Sequence, residues 1–122
     1  MKRYLTWLTV LCLGLLSVWF GSSLQAAGFP PVAELNFRNE ELLDSHWKKH
    51  RNEFRPVVTK EQYLAYARAF FTNNSKGKEL KYRGRDVLHY RESTNEFGVL
   101  SGEPVIRTYF RPSSGRRYWD RQ

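Results

Sequence analysis

From residue 42 to residue 54 the chain reads LLDSHWKKHRNEF, with apolar positions recurring at intervals of three and four. In a helix, such intervals superpose side chains on one face. Leu43, Trp47, His50 and Phe54 then form an apolar stripe, and Leu42, His46, Lys49 and Glu53 form an ionisable ridge beside it. The pattern predicts a first helix from about residue 39. Pro56 should end it, because the residue before a proline is driven out of the helical region. Thr59-Lys60-Glu61-Gln62 fits a capping box, so a second helix should open at Thr59. Tyr63, Leu64, Ala67, Phe70 and Phe71 supply its buried face, and the polar run from Thr72 to Gly77 stops it with turn-forming residues.

Beyond Lys78 the period changes from 3.6 to 2. Residues 79–82, 86–91, 97–100 and 105–111 read as four short strands, separated by RGRD, ESTNE and SGEP. These separators are rich in turn formers, and connections this short imply an antiparallel meander. The tail from Pro112 becomes aromatic again at Tyr118-Trp119 and should pack back onto the sheet. The expected architecture is α+β, two N-terminal helices packed on a four-stranded antiparallel sheet.

The N-terminus alters what composition means. Lys2 and Arg3 precede an uncharged run from Tyr4 to Phe20 and then GSSLQAAG, the layout of a cleavable signal peptide. The alternative is a membrane anchor, although the run falls short of the ~20 apolar residues a span needs. Removal of residues 1–27 leaves residues 28–122 as one small domain, exported to the periplasm or secreted, with no stable membrane association. In that domain 18 basic side chains face 12 acidic ones, a net +6. Such a balance suits an anionic partner: nucleic acid, a membrane surface or an acidic protein. Cys12, the single cysteine, lies in the leader. The domain therefore has no disulfide framework, thiolate nucleophile or cysteine metal site.

Three places concentrate reactive groups. His46, Lys49, His50 and Glu53 bring imidazole, ammonium and carboxylate within about two helical turns, a possible acid–base cluster. An ordinary amphipathic helix with a solvated edge has the same pattern. The spacing of His46 and His50 also resembles half of a zinc site, but Trp47 stands where the glutamate of that motif belongs. On the strand 86–91, alternation puts Val87, His89 and Arg91 on one face; His89 beside Arg91 could face phosphate there, but is expected to point to solvent on a half-exposed sheet. On the last strand, Ile106, Thr108 and Phe110 should face the core, leaving Arg107, Tyr109 and Arg111 outside. Guanidinium forks bind phosphate and tyrosine can stack a base. No metal or other cofactor is expected.

The segments HWKKHRNEF, EQYLAYARAFF, TNEFGV and GEPVIRTYFRPSSGRRYW, in that order, resemble the barnase/EndoU/colicin D/RelE-like superfamily of ribonuclease toxin domains. Such domains occur in bacterial polymorphic toxins and phage proteins. The resemblance spans roughly His46 to Trp119 and implies a metal-independent ribonuclease, often acting on tRNA and restrained by an immunity protein. By position His46, Lys49 and His50 match its H-x-x-K-H element, and Thr108 the threonine of its last strand. Arg51 departs from the glycine expected after the second histidine. Arg107 and Arg111, chosen from charge and alternation, would clamp phosphate. The reading from a different class is a non-catalytic exported module that binds an acidic partner, an envelope polymer or protein, through its basic sheet face.

Overall fold

The computed structural model describes residues 35–73 and 77–122; the expected signal peptide lies outside them. In chain order the elements are β1 (Asn36–Phe37), α1 (Glu40–His50), α2 (Lys60–Thr72), β2 (Lys78–Arg83), β3 (Asp86–Arg91), β4 (Glu96–Leu100), β5 (Val105–Phe110) and α3 (Arg116–Asp120). The strands form one mixed sheet ordered β1-β5-β4-β3-β2. The expected meander is present as β2 to β5, all antiparallel. β1 was not expected. It adds two residues parallel to β5, pairing Asn36 with Val105 and Phe37 with Ile106.

Both N-terminal helices begin where their caps predict. Asn39 accepts from the Leu42 N–H at 2.9 Å, and Thr59 and Gln62 complete a reciprocal capping box. The end of the first helix differs from expectation. Regular helix stops at His50, a 3₁₀ turn covers Arg51–Glu53, and Phe54 is extended. The tighter turn lets Phe54 dive into the core, where it is 2% exposed beside Tyr63 and Tyr109. The chain leaves the helix well before Pro56 because burying that ring outweighs continuing it.

α1 and α2 cover one face of the sheet, through a core that includes Leu43, Tyr63, Phe70, Phe71, Ile106 and Tyr109. Packing there is close at one point. A Cβ on Gly98 would lie 2.5 Å from Cζ of Phe71, so β4 needs glycine beneath that ring. The other face is covered as well. Trp119 of α3 stacks on Tyr90 at 5.6 Å, and Tyr118 meets Phe97 edge-on at 4.9 Å. The aromatic tail thus packs back as expected, but as a short helix. With both faces covered, His89 cannot reach solvent. It is 7% exposed and packed against Phe70 and Phe71, and burial, with Lys78 nearby, pushes its imidazole down to about 4.

Candidate active site

β1 reaches only Val105 and Ile106, so the outer edge of β5 beyond Ile106 has no strand beside it among the described residues. The C-terminal end of α1 and its 3₁₀ turn lie against that edge instead. Between them runs a groove of about 620 Å³. His46, Lys49, His50 and Glu53 form one wall, and Thr108, Phe110 and Arg111 the other. Asn95, Ser113 and Tyr118 close the far end.

His50 is the most constrained of these groups. Its Nδ1 lies 2.7 Å from Oε2 of Glu53. In a 3₁₀ turn side chains three apart eclipse one another, which is why Glu53 sits under His50 rather than one stripe away. A carboxylate can only accept, so Nδ1 carries the proton. Nε2 makes no hydrogen bond among the described residues. The other oxygen of Glu53 accepts the backbone N–H of Arg111 at 2.8 Å, so one carboxylate holds both the imidazole and the unpaired edge of β5.

The two histidines belong to a column of rings. Phe37 and His46 lie 5.1 Å apart, His46 and His50 6.0 Å, and His50 and Phe110 5.0 Å. Packing on both sides fixes the imidazole planes. Burial lowers the pKa of His46, with His50 and the Lys49 ammonium adding to the effect. His46 is therefore held neutral, the form that takes up a proton. Lys49 is exposed on the wall next to it.

Thr108 joins this groove because of a bulge. Val99 pairs with Thr108 but Leu100 pairs with Ile106, so Arg107 is an extra residue and the alternation resets. Ile106 and Tyr109 therefore share the core face, while Thr108 and Phe110 turn to the other. This corrects the expected outward face. Tyr109 is fully buried and cannot stack a base. Its hydroxyl donates to Glu96, its carbonyl accepts from the Tyr63 hydroxyl, and burial raises the pKa of both phenols. Arg107 is exposed but stands outside the groove, paired to Asp86 at 2.8 Å. Arg111 lines the groove, yet its guanidinium lies over the Phe54 ring at 4.6 Å.

Sequence reasoning missed Asn95, Ser113 and Tyr118. Asn95 carried a signal: it sits among turn formers ahead of a strand, and it adopts the left-handed conformation, φ 52°, that asparagine tolerates. Its side chain donates to the Pro112 carbonyl at 2.8 Å and accepts from the Tyr90 hydroxyl at 3.2 Å, tying the end of the groove to the β3–β4 turn. Among the described residues no group of three or more His, Cys, Asp or Glu side chains is placed to hold a metal ion. No helix among them is long and apolar enough to cross a membrane. No protein-family model matches the chain, and no curated protein matches it.

Proposed function

We propose that the groove between α1 and β5 is the active site of a metal-independent endoribonuclease. The observation that carries this reading is the convergence of His46, Lys49, His50 and Thr108, from two distant parts of the chain, on one groove. Neutral His46 accepts the proton of a ribose 2′-OH, whose oxygen attacks the adjacent phosphorus. The bond from phosphorus to the departing 5′ oxygen breaks, and that oxygen takes a proton from His50. The products are a 2′,3′-cyclic phosphate end and a free 5′-OH. Glu53 accepts from Nδ1 of His50 and so fixes the orientation of the ring that gives up the proton. Lys49 and the Thr108 hydroxyl stabilise the charge that builds on phosphorus-bound oxygen.

On the same reading the substrate is RNA, with tRNA the first to test, and the protein is an exported toxin or effector restrained by an immunity protein. The basic balance of residues 28–122, 18 basic against 12 acidic side chains and a net +6, supports an anionic polymer as partner. The leader supports export. The experiment is incubation of the protein with bulk tRNA in the presence of EDTA, followed by end mapping. Discrete fragments ending in 2′,3′-cyclic phosphate are expected. Tight RNA binding without cleavage would favour the non-catalytic binding module instead.

A further inference from the structure

Beside the groove, separated from it by Arg111, lies a second pocket of about 260 Å³. It opens between α2 and the ends of β3, β4 and β5, and Arg55, Arg91 and Arg111 line it with Glu96 as the one carboxylate. Three guanidinium groups against one carboxylate leave it strongly positive. The carboxylate is already engaged: Glu96 accepts from Tyr109 and stands 3.5 Å from Nη1 of Arg91.

That pairing accounts for part of Arg91 and for nothing of Arg111. Nε and Nη2 of Arg91 and Nε of Arg111 are buried without a partner, and no side-chain nitrogen of Arg111 donates a hydrogen bond among the described residues. Buried donors of this kind are ordinarily satisfied. Both guanidinium carbons stand over aromatic rings, Arg91 over Phe70 at 5.5 Å and Arg111 over Phe54 at 4.6 Å. Stacking uses the face of a guanidinium and leaves its N–H edge for a forked acceptor. The local potential is felt nearby: burial, and then the charge of Arg91, draw the Lys78 ammonium down to about 8.

We infer that this pocket is a phosphate-binding site in which Arg91 and Arg111 grip one phosphate group through their free N–H edges. Arg55 stands at its rim, with two of its contacts on the backbone carbonyls of Asn52 and Phe54. Tyr66, 47% exposed and stacked on Phe54, offers an open ring beside the phosphate for a base. The phosphate has two possible sources, a free phosphate or the backbone of an RNA strand continuing from the groove. The inference does not depend on cleavage.

The test follows the ¹H–¹⁵N signals of arginine Nε in the protein during titration with inorganic phosphate and, separately, with an unstructured RNA hexamer. The Arg91 and Arg111 signals are expected to move. Movement with phosphate alone identifies a free-phosphate site, and movement with the hexamer only identifies the RNA backbone. Arg111→Gln, which removes no internal side-chain hydrogen bond, should weaken binding at least ~10-fold, the scale of a lost charge-assisted bond. Stationary signals with both probes, or unchanged affinity in a folded Arg111→Gln protein, would overturn the proposal. If the signals move and tRNA stays intact, the pocket stands and the ribonuclease reading falls.

Discussion

The carboxylate of Glu53 lies 2.7 Å from Nδ1 of His50 and at the same time caps the Arg111 N–H at 2.8 Å. One side chain thus orients the proposed acid and closes the open edge of β5. Glu53→Gln separates the two duties, since an amide can still accept from Arg111 but its carbonyl cannot serve both partners and its charge is gone. Cleavage should fall at least ~10-fold, on the order of one charge-assisted contact, while the melting temperature changes little. Glu53→Ala should lower both, by about 1–3 kcal/mol in stability for the orphaned N–H. Comparing rates and melting curves of the two variants checks this. Equal rates in Glu53→Gln and parent would remove Glu53 from the mechanism.

His46→Ala should reduce tRNA cleavage by ~100- to 10,000-fold, the usual contribution of an acid–base group, in a protein that still folds. Because the pKa of His46 is lowered, its base form persists below the ordinary imidazole range near 6.5. The acid limb of the pH–rate profile should therefore lie below that value, and His46→Ala should abolish it. His50→Ala should lose activity and stability together, since His50 is 7% exposed and stacked on Phe110.

Tyr109 and Arg107 should behave oppositely to a shared phosphate-binding face. Tyr109→Phe deletes the hydroxyl that serves buried Glu96, and stability should drop by about 1–3 kcal/mol. Arg107→Ala breaks an exposed pair with Asp86, worth roughly 0.2–1 kcal/mol, and should leave cleavage near the parent rate. A large loss of RNA affinity in Arg107→Ala with unchanged folding would put the binding face back on that side of the strand.

His89 gives a pH signature of stability. The unfolded chain protonates this imidazole near pH 6.5, whereas the folded protein does so only near 4. Between these values the unfolded state binds more protons, so stability is fullest above pH 6.5 and falls as pH drops towards 4. The loss amounts to about 3 kcal/mol at most. Melting temperatures of parent and His89→Leu across pH 4–7 test it. The variant should show the shallower slope, and parallel slopes would mean that His89 is not buried neutral.

What the sequence alone determined is whatever short-range geometry controls. Thr59 and Gln62 announced α2 because a capping box is closed within four residues. The period-2 runs announced β2 to β5, and the helical spacing of α1 already put His46 and Lys49 on its ridge and His50 on the stripe beside them. Tertiary structure decided the rest, because the forces involved act between distant segments. β1 exists only through its pairing with β5, and two residues carry no periodicity of their own. The bulge at Arg107 is a property of β5 against β4, so simple alternation put Tyr109 outside and Thr108 in the core. Glu53 meets Arg111 across 58 positions of sequence, which no spacing rule reaches. His89 was expected to meet solvent, but α2 lays Phe70 and Phe71 on its face of the strand and removes that solvent.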